Sequence, residues 1–106
     1  MGRVRDRSGQ AAARVAALLE EAARQARRQR TVTRAVRAAW DVLAADPGPA
    51  VGGLAFGAWQ RSLGHAGPVA ELYGVVCLQS GSAAGVAGSL YRAAGTVSKA
   101  PKGAVA

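Results

Sequence analysis

The sequence predicts an all-α protein of one domain, in which one long amphipathic basic helix is followed by two or three short glycine-containing helices, packed as a helical dimer or a small bundle. Three observations support this class. The chain has 106 residues, the size of a single small domain. Residues 10–46 contain neither Gly nor Pro and are rich in strong helix formers. Of the 14 glycines, 12 follow residue 47 and divide the second half into short segments.

The long helix is predicted over residues 9–45, after a flexible basic arm at residues 1–8. At a step of about 100° per residue, apolar side chains form one stripe along this helix. One helix cannot bury such a stripe alone. Gln29 and Thr33 interrupt the stripe, and the β-branched segment TVT weakens the helix there, which leaves open a bend or break near residues 29–33. The stripe is expected to form the core or a dimer seam, and its main members are Val15, Leu18, Leu19, Val36, Trp40 and Leu43.

Turn signals divide the rest of the chain. The segment DPGP ends the long helix, and its Asp46 is a candidate cap for the next one. The turn GHAGP follows a helix that stops at Gly64, and Ser80 or Ser82 is expected to cap the last helix, closed by Gly95. The expected bounds are residues 49–63, 68–79 and 82–94 for the short helices and 96–106 for a flexible tail.

Residues 72–91 are uncharged over about the length that crosses a bilayer. Gln79 and the many Ser and Gly residues make this run poorly hydrophobic, and the segment SGS is expected to break it. Two short packed helices are therefore favoured over a membrane span. The N-terminus lacks the apolar core of a secretory signal, and with a single cysteine the chain fits an intracellular, cytoplasmic setting.

The positive charge is concentrated at one end of the chain. The net charge is +8, of which residues 1–37 carry +7, from ten Arg against three acids, and residues 38–106 carry +1. Such segregation indicates a polyanionic partner, with nucleic acid first and an anionic membrane second.

Six arginines and no acid occupy residues 24–37. On a continuous helix four of them, Arg27, Arg30, Arg34 and Arg37, form a ridge about 15 Å long, comparable with several phosphate spacings. Glu20 can pair with Arg24, but no acid is expected near the last three arginines of the ridge. A solvated helix face is the alternative interpretation. The candidate nucleic-acid-binding residues are Arg24, Arg27, Arg28, Arg30, Arg34 and Arg37.

No pattern in the chain predicts catalysis, a cofactor or a metal site. His65 stands alone, without a second His or a suitable Cys, and no nucleophile-elbow sequence surrounds Ser62 or Ser80. Cys77 and Trp59 are expected to be core residues. The protein is therefore not expected to be an enzyme.

The segment TVTRAV, Thr31 to Val36, lies between an Arg-rich helix and a proline-led turn. Over about residues 14–54 the sequence resembles the nodavirus suppressors of RNA silencing, a family of double-stranded-RNA-binding accessory proteins. The resemblance implies an antiparallel helical dimer whose long helices lie along one face of duplex RNA and contact phosphates and 2′-hydroxyls without sequence preference. It matches Arg34 to the arginine of the family motif, and Arg27, Arg28 and Arg30 to its basic stretch.

The sequence thus favours a non-enzymatic, homodimeric protein that binds double-stranded RNA and acts as a viral suppressor of RNA silencing in the host cytoplasm. The alternative is a helical adaptor that binds a host protein or an anionic membrane surface. Nucleic acid would be the partner in the first case, and no cofactor is implied in either.

Overall fold

The computed structural model describes residues 2–45 and 49–105, and it describes side chains for residues 11–45 and 51–99. Every element in the described residues is an α-helix, which confirms the all-α class. The bounds are α1 Gly2–Arg27, α2 Val32–Ala44, α3 Pro49–Ser62, α4 Val69–Ser80 and α5 Ala83–Val105.

The long helix predicted over residues 9–45 is divided in two, close to residues 29–33, where the sequence left a bend or break open. α1 and α2 are separate helices, joined by a link at residues 28–31. Thr31 caps α2: its backbone is extended, and its hydroxyl accepts a hydrogen bond from the amide N–H of Arg34 at 3.2 Å. The β-branched TVT segment weakens the continuous helix, and the cap satisfies an amide at the new start. The break lets α2 pack against α1 instead of extending from it.

The ends of the chain also differ from the expectation of a flexible arm and a flexible tail. α1 begins at Gly2, and α5 continues past Gly95 to Val105, so residues 2–8 and 96–105 are helical. A glycine inside a helix costs only about 1 kcal/mol relative to alanine. Here α5 packs along α1, and this contact offsets that cost.

Two glycines with left-handed backbone set the corners around α4. Gly64 has φ 70° and ends α3, as expected, with its amide bonded to the carbonyl of Arg61 and the amide of His65 bonded to the carbonyl of Gln60. Gly81 has φ 69° and ends α4. The predicted break between the two last helices is therefore present.

Ser82 is the cap of α5, one of the two candidates from sequence. Its hydroxyl accepts from the amide of Gly85 at 3.0 Å. Asp46, the candidate cap of α3, lies outside the described residues. From this cap α5 runs back across α1 and α3, and these three helices contribute most of the buried core residues.

The interior is built mainly from alanine. Among the residues whose side chains are described, 12 of the 21 buried hydrophobic residues are Ala. Small side chains let the helix backbones approach closely, and the volume is completed by a few large residues. These are Trp59, Leu19, Leu43, Leu72 and Leu90, each almost fully buried.

The apolar stripe of the first two helices is covered within the single chain. Val15, Leu19, Val36 and Leu43 are at most 3% exposed, and Leu18 and Trp40 are partly buried against the same core. The break between α1 and α2 and the packing of α5 supply the covering surface. Burial of this stripe therefore does not depend on a second copy, and the homodimer stays a prediction.

No described helix combines enough length with enough apolar character to cross a membrane.

Candidate functional site

The six arginines surround the corner between α1 and α2. Arg24 and Arg27 lie in the last turn of α1, and Arg28 and Arg30 lie in the link. The remaining two, Arg34 and Arg37, lie in the first two turns of α2. All six side chains are exposed.

The ridge expected from a continuous helix does not exist in that form. Because the helix breaks at residues 28–31, Arg27 and Arg30 are no longer in register with Arg34 and Arg37 on one cylinder. The charges instead extend around a corner and belong to three segments: the end of α1, the link and the start of α2. The corner keeps them adjacent along the chain without the like-charge i,i+4 rows that a single helix would impose.

Arg24 is engaged by an acid of its own helix. Its guanidinium donates to the carboxylate of Glu21, with an Nη2–Oε1 distance of 2.6 Å and an Nε–Oε1 distance of 3.1 Å. The acid is thus Glu21 at i−3, and not Glu20 as expected. Gln25 also donates to Glu21, at 2.8 Å. These bonds, first that of Gln25 and then that of Arg24, lower the pKa of the Glu21 carboxyl below its ordinary value.

Arg37 also has an acidic neighbour, against the expectation that none lies near it. Its Nε is 3.6 Å from Oδ1 of Asp41, one helical turn away. The two side chains are 80% and 72% exposed, so the pair is loose and contributes little to stability. The i+4 spacing of Arg37 and Asp41 was readable from sequence and is the signal that was missed.

The other four arginines make no ion pair with any acid whose side chain the structure describes. We call this set the basic corner, and it consists of Arg27, Arg28, Arg30 and Arg34. Their charges are available to an external anion, and the planar guanidinium groups can each donate two parallel bonds to a phosphate.

Helix electrostatics explain only part of this arrangement. Arg27 and Arg28 lie at the carboxyl end of α1, where a cation stabilises the exposed carbonyls and the helix dipole. Arg34 is the third residue of α2, near the positive end of that dipole, where a cation is unfavourable. The position of Arg34 is therefore not accounted for by helix stability.

A groove lies beside the packed interface of α1 and α5, and Arg27 and Arg28 of the basic corner form part of its lining. It measures about 720 Å³ and is open to solvent. Tyr91 of α5, with 39% of its surface exposed, forms the wall opposite the arginines. The hydrogen bond that Arg24 donates to Glu21 raises the pKa of the Arg24 guanidinium above its ordinary value. We call this the α1/α5 groove, lined by Glu21, Arg24, Gln25, Arg27, Arg28 and Tyr91.

The polar residues between the arginines mostly make hydrogen bonds within the fold. Gln25 bonds Glu21, and Gln29 donates to the carbonyl of Gln25 at 3.4 Å. The hydroxyl of Thr31 is used by the cap. Thr33 is exposed and lies beside Arg34 in the first turn of α2, where its hydroxyl is available to a ligand.

Trp40 belongs to the core edge. It is partly buried, and its ring packs on Phe56 and Trp59 with centroid distances of 5.0 and 5.9 Å. Trp59 is fully buried and Cys77 partly so, which places both where the sequence expected them.

His65 and the serines form no nucleophile and base arrangement. The hydroxyl of Ser62 donates to the carbonyl of Trp59 at 2.7 Å. His65 lies in the turn after α3, and its Nε2 is buried without a partner among the described groups. No group of three or more metal-ligating side chains comes together in the described part of the chain.

Comparison of the chain with protein-family models, with curated proteins and with solved structures finds no match. The candidate site is therefore assigned from its own geometry. Tyr91 was not among the residues selected from sequence, because it comes from α5 and reaches the basic segments only through the fold.

Proposed function

We propose that this protein binds nucleic acid through the basic corner, without enzymatic activity. The observation that carries the proposal is the presence of four exposed arginines around the α1/α2 corner with no acidic partner among the described side chains. Uncompensated cations of the same sign repel each other, so their grouping destabilises the free protein. A polyanion removes that repulsion.

The spread of the charges favours a polymer over a single small anion. The four arginines belong to three consecutive segments of the chain and do not converge on one enclosed pocket. The α1/α5 groove next to them is open, as expected for a surface that a phosphate backbone passes over. Repeated phosphates match repeated guanidinium groups, and each contact releases a counterion.

Double-stranded RNA is the form we favour. This choice rests on the resemblance at Thr31 to Val36, where Thr31 starts α2 and Arg34 and Thr33 are exposed in its first turn. An arginine and a hydroxyl side by side suit a phosphate and a ribose 2′-hydroxyl. Suppression of RNA silencing by coating the duplex, in a host cytoplasm and as a homodimer, is the role that the resemblance implies.

A binding experiment with charge-matched variants tests this proposal. The first variant replaces Arg27, Arg28 and Arg34 by Ala, and the control replaces Arg14, Arg61 and Arg92, which are exposed and lie outside the basic corner. Both variants lower the net charge by three. Fluorescence anisotropy would compare duplex RNA, duplex DNA and single strands over a range of salt concentrations.

We expect the wild type to bind duplex RNA with marked salt dependence. The slope of log affinity against log salt should fall by about three in the corner variant, close to one for each phosphate contact removed. The control variant should keep most of the slope. Equal losses in the two variants, or wild-type binding indifferent to salt, would contradict the proposal. Binding to anionic vesicles in place of nucleic acid would support the adaptor alternative.

The homodimer has a separate test. The solution mass of the protein, measured with and without duplex RNA, is expected to correspond to two chains. A single chain in both conditions would remove the dimer from the proposal and leave the basic corner as a monomeric surface.

A further inference from the structure

A second groove lies between α2 and α4. It measures about 460 Å³ and, like the α1/α5 groove, is open to solvent. We call it the α2/α4 groove. Its lining residues are Arg37, Trp40, Asp41, Ala70 and Tyr73.

Two aromatic rings line the α2/α4 groove. Trp40 is fixed from behind by Phe56, at a centroid distance of 5.0 Å, and by the fully buried Trp59. Tyr73 leaves 39% of its surface exposed on α4. Trp40 is therefore the fixed ring and Tyr73 the ring that solvent reaches, and an exposed aromatic ring is a surface on which a planar group can stack.

The polar groups of this groove differ from those of the basic corner. Arg37 and Asp41 lie 3.6 Å apart and are mostly exposed, so neither is saturated by the other. The Asp41 carboxylate repels phosphate and accepts only from N–H or O–H donors. The groove is therefore not an extension of the phosphate-binding surface. Its combination of aromatic ring, carboxylate and guanidinium is complementary to a nucleotide whose base edge carries N–H donors.

We propose that the α2/α4 groove binds one unpaired guanine base of an RNA held by the basic corner. The base stacks on Tyr73, its neighbouring N–H groups donate to the Asp41 carboxylate, and Arg37 donates to the adjacent O6 of the same base edge. Bases inside a duplex are stacked and paired, so the groove takes a base from an overhang, a loop or a single-stranded end. This inference rests on the proposed function, because the basic corner must hold the RNA from which the base comes.

The test uses three labelled RNAs that share one duplex: a blunt form, a form with two unpaired guanosines at one end, and a form with two unpaired adenosines there. We expect wild-type protein to bind the guanosine form about tenfold more tightly than the blunt form, the size of one stacked base. The adenosine form should gain less, because the Watson–Crick edge of adenine lacks the paired N–H donors.

Tyr73→Ala should abolish the preference for the guanosine overhang and leave blunt-duplex affinity unchanged. Tyr91→Ala is the matched control: it removes a ring that is also 39% exposed, but from the α1/α5 groove, and should keep the ratio of the two affinities. Circular dichroism checks the fold of each variant. If Tyr73→Ala does not fold, Asp41→Asn is the variant that tests the guanine site. It alters an exposed side chain, and it should remove the discrimination between guanosine and adenosine.

The outcomes separate the two proposals. Equal wild-type affinity for the three RNAs, with blunt-duplex binding retained, overturns the guanine site and leaves the proposed function intact. Absence of binding to every RNA overturns both. A guanosine preference that survives both Tyr73→Ala and Asp41→Asn also overturns the guanine site.

Discussion

The indole N–H of Trp59 donates to the hydroxyl of Ser89 at 2.8 Å, joining α3 to α5 in the centre of the core. Ser89 in turn donates to the carbonyl of Val86 at 2.8 Å, so its hydroxyl both accepts and donates a hydrogen bond. Ser89 is 1% exposed and is the one polar residue among the buried residues that the structure describes. This pair orients the largest side chain of the interior.

Ser89→Ala is expected to destabilise the protein by about 1–3 kcal/mol, because the buried indole N–H loses its acceptor and no water can reach it. Urea denaturation measures the change. Ser98→Ala removes an exposed hydroxyl of the same helix and should leave the free energy of unfolding nearly unchanged. Equal stability of the two variants would show that the Trp59 bond contributes nothing.

Thr31→Ala is expected to cost about 1 kcal/mol, since the amide of Arg34 loses the hydroxyl that caps α2. Thr33 lies two residues further along the chain and makes no cap bond. Thr33→Ala should therefore be neutral or slightly stabilising, because Ala has the higher helix propensity. Thermal denaturation of the two variants measures the difference. A larger loss for Thr33→Ala would contradict the assigned start of α2.

Gly85→Ala is expected to be strongly destabilising. A Cβ at this position would overlap the backbone carbonyl oxygen of Ser80, and a backbone atom cannot move aside cheaply. Gly74→Ala, in open space on α4, should instead stabilise the helix by about 0.4–1 kcal/mol. The comparison needs only the midpoints of denaturation. A tolerated Gly85→Ala would mean that the α4/α5 corner is looser than described.

Glu21→Gln is expected to strengthen RNA binding, because it releases Arg24 from its ion pair beside the basic corner. Glu20→Gln removes the same charge without breaking an ion pair among the described side chains and should have the smaller effect. Anisotropy titrations at fixed salt give both affinities. Weaker binding by Glu21→Gln would show that the ordered Glu21 and Arg24 pair itself contacts the ligand.

The same glutamate has a defined pH dependence. Its folded-state pKa is lowered, so its contribution to stability is present above the ordinary value of 4.5 and is lost as pH falls through the lowered folded-state value. The stability difference between wild type and Glu21→Gln should therefore shrink in acid. Because both partners of the pair are largely exposed, the difference is small at every pH.

The local signals of the sequence predicted much of the fold. The helix end at Gly64 and a serine cap of α5, at Ser80 or Ser82, were predicted because turns and caps depend on neighbouring residues only, and the structure selects Ser82. The predicted helix over residues 9–45 runs through the break before Val32, although the TVT segment also allowed a break there. Periodicity extends across such a site without interruption, whereas packing of α2 on α1 decides that the helix ends there.

The sequence identified the arginines of the candidate site, but it did not predict their ion pairs or the grooves beside them. The six arginines are exposed and adjacent along the chain, as the residues suggested. Their division into two paired and four unpaired charges depends on side-chain rotamers at Glu21 and Asp41. The grooves beside them need Tyr91 and Tyr73, which follow the arginines by tens of residues and share no local pattern with them.

The alanine-built interior has a consequence for how this protein tolerates change. Where a leucine-rich core fails when side chains shrink, eight of the 12 buried hydrophobic residues described in α1 and α5 are alanines, so truncation at those positions removes little. Growth is the damaging direction: a valine or leucine at Ala22, Ala26 or Ala94 would force the helices apart along their length. At these positions only the smallest residues are compatible with folding. The exposed arginines of the basic corner, in contrast, can be replaced without disturbing the packing beneath them.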